Sequence, residues 1–216
     1  MEKKALLYRI TFYIVGMLLL AMGITLTTKT GLGVSPIISV PFCISNIFGL
    51  NFANVTFIVY LIFIILQIAI KKMNTEVFDL LQLVISVMFT RFLGLFQKLF
   101  DIQTDVLLLK FLLLLVAILL TGVGAAITMN ARLIANPGDG IVLTISDASK
   151  KETGLVKNYF DLTCILISIS TGLICERKII GIGVGTMIAF VGVGRVIWAY
   201  NKLMKERIDI LTDLGK

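Results

Sequence analysis

Long apolar runs separated by short polar stretches dominate the chain. Six of the runs approach the ~20 residues an α-helix needs to cross the hydrocarbon core of a bilayer. They cover about 8–27, 54–70, 75–97, 106–129, 157–174 and 181–200. In the first, Gly16 and Gly23 lie seven apart on one helical face, a spacing that allows a second helix to approach closely. The third opens on Thr75 as a candidate cap, with Glu76 and Asp79 in the first turn, where the helix dipole favours anions. Two more apolar segments, 36–48 and 137–148, are too short to span and suit re-entrant half-helices. Each follows a polar, glycine-bearing loop and begins with a proline, Pro36 or Pro137. Proline is tolerated at the first helical position because its missing N–H would be unbonded there anyway. Ser35 and Asn136 precede the prolines as natural N-caps.

Composition agrees with this pattern. The chain has 216 residues, of which 58% are hydrophobic and 15% charged, with a mean hydropathy of +1.00. A soluble domain is about half apolar and about a quarter charged, so no sizeable soluble domain is expected. The net charge of +7 does not point to nucleic acid, because the basic residues cluster at the ends of apolar runs. Cys43, Cys164 and Cys175 are far apart and odd in number, which suits small buried hydrophobes rather than a disulfide framework or a metal site. The absence of histidine excludes histidine-based general-base chemistry, haem ligation by histidine and the usual zinc sites. No cofactor and no metal are expected. The basic start followed by the apolar run at 10–26 reads as an uncleaved first span.

The chain also resembles itself. A shift of 101 places Pro36 on Pro137, Gly23 on Gly124, Thr27 on Thr128 and Ile44-Ser45 on Ile145-Ser146. Beyond a three-residue insertion the shift becomes 104 and places Arg91 on Arg195. Two repeats follow, 1–100 and 101–205, with a tail at 206–216. Three crossings per repeat would insert the second upside down relative to the first, a plan that recurs in transporters. If the short helices span, there are eight crossings and the repeats point the same way. The Lys71-Lys72 pair and the shortness of the helices favour six. Both counts leave the two termini cytoplasmic. The expected fold class is therefore an all-α membrane protein with six transmembrane helices plus two short re-entrant helices in two inverted repeats.

The G-L-G-V-S-P of Gly31–Pro36, the N-P-G-D-G of Asn136–Gly140 and their spacing along an apolar chain of this length resemble the YczE/YitT-like bacterial multi-spanning membrane proteins. The resemblance covers nearly the whole chain and implies a bacterial cytoplasmic (inner) membrane location. In similar sequences an acidic residue usually follows the proline by two positions. Asp139 fits, but Ile38 stands at the matching place in the first repeat, so a symmetric two-carboxylate site is not expected.

The candidate chemistry lies where backbone is broken, since such backbone survives in a membrane only when buried in protein or lining water. Ser35 and Pro36 from one loop, and Asn136, Pro137, Gly138, Asp139 and Gly140 from the other, are the candidate substrate-binding residues. A carboxylate at membrane depth costs about 2.5–3.5 kcal/mol on insertion scales, so Asp139 needs a partner or water. The plainer reading is a first-turn aspartate that satisfies its own helix. Asp161 and Arg195 are expected to form a structural ion pair; the plainer reading of Arg195 is snorkelling to the headgroups. The glycines of 181–194 suit close helix packing rather than a nucleotide loop. The leading reading is a small secondary transporter or permease, not an enzyme, with its site at two half-helix N-termini. The alternative is a non-transporting scaffold or accessory protein that works through a basic, amphipathic tail. The partners this allows are membrane lipid, an unidentified small molecule or ion and a second copy of the chain, but not nucleic acid.

Overall fold

A computed structural model describes residues 2–72, 77–102 and 104–211, with the side chains of 2–4, 77–78 and 205–211 left out. Thr75, Glu76 and the amphipathic face of the tail lie outside what is described. Among the described residues eight α-helices follow one another: α1 (Glu2–Lys29), α2 (Pro36–Ile47), α3 (Phe52–Lys71), α4 (Val77–Leu99), α5 (Leu107–Asn130), α6 (Pro137–Ser149), α7 (Thr153–Glu176) and α8 (Val184–Leu211). All but α2 and α6 are long and apolar enough to cross a membrane. At 1.5 Å per residue the 12 residues of α2 and 13 of α6 reach only about 18–20 Å, short of the ~30 Å of a hydrocarbon core.

Local chemistry sets the helix ends. Pro36 and Pro137 open α2 and α6, and the Asn136 side chain accepts from the Gly138 N–H at 3.3 Å. Ser35 holds the N-cap position of α2, but its side chain makes no capping hydrogen bond. The last helix starts three residues later than its apolar run, because Gly181 has φ +78° and Gly183 and Gly185 press on Leu32. Pro41 sits inside α2 and is buried, so the Ile37 carbonyl lacks its usual helical donor.

The centre of the molecule is the crossing of α1 and α5. Gly16 lies against Gly124 and Thr128, while Gly23 lies against Ala117 and Thr121, so the two helices run antiparallel. Around them α4 packs on α1, α8 on α5, α2 on α7 and α3 on α6. α3 also packs on α4, whereas α7 and α8 do not pack along each other. Left-handed backbone recurs at Gly31 and Arg132, at Gly49 and Lys150, and at Lys72 and Arg177. The Leu50 N–H bonds the Ser45 carbonyl at 2.9 Å, as the Lys151 N–H bonds that of Ser146 at 3.2 Å.

Burial is inside out for a soluble protein. Leu107, Leu108, Leu115 and Leu119 of α5 and Ile58, Ile62 and Ile65 of α3 are exposed, while Gln67, Gln82, Thr56, Ser86 and Ser168 are buried. Apolar rims suit lipid, and polar groups that cannot face lipid turn to one another. The Gln67 and Gln82 amides exchange hydrogen bonds at 3.1 and 3.0 Å, and Ser168 donates to Ser39 Oγ at 2.8 Å. The chain is an all-α, multi-pass membrane protein.

Candidate substrate site

The two proline-led helices meet at their first turns. A β-carbon on Gly138 would come within 2.8 Å of Ile37 Cδ1, so the start of α6 abuts the start of α2. Both open on one cavity of about 900 Å³. Ser35 and Pro36 line it from one side, and Asn136, Gly138 and Asp139 from the other. Two of the sequence candidates stand apart. Pro137 is buried and turns its carbonyl to the Gln67 side chain at 3.4 Å. Gly140 sits against Gln67 and Gln82 and borders a separate cavity of about 210 Å³.

The α5–α6 loop is held from α1. Arg9 donates to the carbonyls of Ala131 and Arg132 at 3.0 and 2.6 Å, and Tyr13 Oη donates to the Ile134 carbonyl at 2.7 Å. These bonds satisfy backbone groups at the end of α5 that have no helical partner. They also fix the loop that carries Asn136 and Asp139. On the far side, the α1–α2 loop is held to the α7–α8 loop: Val34 N–H bonds the Gly181 carbonyl at 2.9 Å, and Gly185 N–H bonds that of Leu32 at 2.8 Å. The early glycines of the 181–194 run thus serve close approach of two loops rather than the helix packing their spacing suggests.

Asp139 is half-buried and borders the cavity. Its carboxylate has no hydrogen bond or salt bridge among the described residues, and it lies within electrostatic range of Lys157, Asp161, Tyr13 and Tyr60. Its backbone N–H does bond the Asn136 carbonyl, so the first turn is satisfied without the side chain. The side chain therefore does not play the self-capping role common for aspartate in a first turn.

Asp161 pairs differently from expectation. Its carboxylate takes Lys157, one turn earlier on α7, at 3.3 Å, and Arg195 is exposed on α8. The expected Asp161–Arg195 pair does not form, because α7 packs on α2 and α6 while α8 packs on α5. Asp161 is 4% exposed and borders the same cavity, and its Oδ1 has no hydrogen-bond partner among the described residues. Thr121 Oγ1 on α5 is buried, also without a partner, and borders the cavity too.

Lys157, Tyr60, Thr121 and Arg132 are cavity residues that the motifs did not single out. Tyr60 and Thr121 carried a signal, being polar groups inside otherwise apolar spans. Such groups mark functional positions by default. Of the cysteines, Cys43 and Cys164 are buried as expected, but Cys175 is exposed near the end of α7.

Two curated proteins of Bacillus subtilis (strain 168) are similar to the chain. "Uncharacterized membrane protein YczE" is 24% identical over 171 residues, which cover 79% of this chain and 78% of that protein. "Uncharacterized protein YyaS" is 26% identical over 144 residues, covering 65% and 69%. No solved structure matches. A model of the family of unknown function DUF6198 matches residues 7–202, nearly the whole chain, and the protein belongs to that family.

Proposed function

We propose that the protein is a small secondary transporter or permease whose substrate binds between the first turns of α2 and α6. The observation that carries this reading is that both first turns open on one large cavity inside a bundle of spans. Helix starts present free N–H groups and partial positive charge, and Asp139 adds a carboxylate beside them. Half-helix termini that meet at a cavity recur in secondary transporters. In this reading the protein is a carrier rather than an enzyme.

Two inverted repeats are part of the proposal, each with three crossings and a re-entrant helix. The antiparallel crossing of α1 and α5 supports it, since these are equivalent helices of the two halves. Exchanging the halves carries the Gly16–Gly124 approach onto that of Gly23 and Ala117. The paired left-handed positions and the matching α2–α7 and α3–α6 contacts point the same way. Depth supports re-entrance: Asp139 lines the same cavity as Tyr60, eight residues into the 20-residue α3. The basic residues at the chain ends and at Lys71 and Lys72 support a bacterial inner-membrane location with both termini in the cytoplasm. Transport would proceed by rocking one half against the other around this site.

The test is a metabolite-uptake screen in proteoliposomes, followed by Asp139→Asn. A carrier loses flux while the variant stays folded and monodisperse. Flux unchanged by Asp139→Asn sinks the assignment of the site.

A further inference from the structure

We propose that the cavity binds an amphiphilic organic cation, an ammonium group on an apolar body, and admits it from the lipid between α7 and α8. The proposal rests on the transporter reading of the same site and names its substrate class.

The sign comes from the charges around the cavity. Asp139, Asp161 and Glu152 line it against Arg132 and Lys157, so carboxylates outnumber cations by one. Arg132 and Glu152 are exposed residues of the rim. Deeper in, Lys157 alone stands against Asp139 and Asp161, and it spends its close contact on Asp161 Oδ2. Asp139 is left without a close partner among the described residues. Asp161 Oδ1 is a buried acceptor to which no described residue donates. Buried acceptors of this kind cost about 1–3 kcal/mol, more when charged, unless a donor arrives. A donor with a positive charge answers both, and an ammonium brings three N–H groups. A metal ion is a poor fit: among the described residues no three acidic or cysteine side chains cluster to hold one.

The body of the ligand follows from the walls. Leu20, Ile24, Val142, Phe190, Val193 and Ile197 line much of the cavity, beside polar Thr121, Thr128 and Asn158. A hydrated inorganic cation gains nothing from such walls, whereas an alkyl body buries against them at about 25 cal/mol per Å².

The route follows from an asymmetry between the halves. α3 packs on α4, but their counterparts α7 and α8 leave each other unpacked. Residues of both α7 and α8 line the cavity, which in this proposal opens between them. At Gly194 of α8 a β-carbon would meet nothing within 4 Å. An amphiphile already partitioned into the bilayer would enter there.

The test uses the full-length protein in a neutral detergent with decylammonium as the probe and decanoate as its charge-reversed match. Decylammonium is expected to raise the thermal midpoint saturably, while decanoate leaves it unmoved. Asp139→Asn and Asp161→Asn should each weaken the decylammonium effect about tenfold or more, the order of one lost charge-assisted contact. Should Asp161→Asn fail to fold, Gly194→Leu serves in its place. It builds into open space and should weaken binding in a folded protein. Equal shifts from both probes, or undiminished binding in Asp139→Asn and Gly194→Leu, overturn the proposal. Saturable decylammonium binding without flux in vesicles keeps this assignment and overturns transport. Flux of other solutes without ammonium binding does the reverse.

Discussion

Lys157 holds one oxygen of the Asp161 carboxylate at 3.3 Å and leaves the other buried without a hydrogen bond. The lysine is 44% exposed and the aspartate 5%, so the pair bridges the wet edge of the cavity and its interior. Lys157→Met removes the only close cation among the described residues and strands a buried charge. A fully buried pair costs about 3–5 kcal/mol to break this way, and a surface pair about 0–1. With one partner half in water, a loss of about 1–3 kcal/mol is expected. Arg195→Met, on exposed α8 surface, should leave the thermal midpoint nearly unchanged. Equal losses in the two variants would restore Arg195 as the partner.

The α1–α5 crossing makes a sharper pair of predictions. A β-carbon at Gly124 would run into the Leu20 backbone and come within 2.7 Å of the Gly16 carbonyl. Backbone cannot rotate away as a side chain can, so Gly124→Ala should cost about 1–3 kcal/mol. Gly194→Ala meets nothing, and alanine is better than glycine inside a helix by about 0.5–1 kcal/mol. Thermal unfolding in detergent should therefore move down for the first and stay or rise slightly for the second. A tolerated Gly124→Ala would mean the helices cross further apart than described.

The Gln67–Gln82 pair predicts non-additivity. Each amide donates to the other, and Gly140 is small enough to let α6 lie against both. Gln67→Leu alone leaves Gln82 with an unsatisfied buried amide, a cost of about 1–3 kcal/mol. Replacing both by leucine removes the orphan and should recover part of the loss. A double-mutant cycle reads this directly. Losses that simply add would show that the two amides do not depend on each other.

The gross fold was legible because lipid imposes a coarse code. Run length separates six spans from two stubs, and prolines and glycines mark the broken backbone. The glycines Gly16 and Gly23 named their own role, since only small residues permit such a crossing. Sequence reading failed where the answer lay in which helices touch. Arg195 and Asp161 sit at similar depth on successive spans, and nothing in their spacing says that α8 prefers α5 to α7. The cavity residues Thr121 and Tyr60 were hidden by the same limit. A polar residue in a span announces that it faces protein or water, but not which neighbour it meets. Pro137 and Gly140 lie within the N-P-G-D-G motif, yet the turn of α6 points them at α3 and α4. A motif fixes spacing along the chain, and the helix then distributes its members around the axis.

The arrangement of the halves can be tested with native chemistry. Lys72 and Arg177 each follow the last residue of a matching helix, α3 and α7, with positive φ, and Cys175 lies exposed beside the second. If the halves are inverted, equivalent positions face opposite sides of the membrane. Three crossings separate the N-terminus from α5, so Lys72 is expected inside and Cys175 outside. If all eight helices crossed, both positions would lie on the same side. A membrane-impermeant thiol reagent applied to intact cells should label Cys175. Lys72→Cys in a Cys175→Ser background should react only after the cells are opened. The buried Cys43 and Cys164 should stay silent in both experiments. Labelling of Lys72→Cys from outside would make the halves parallel and turn α2 and α6 into full spans. It would also remove the meeting of two half-helices on which the transport reading stands.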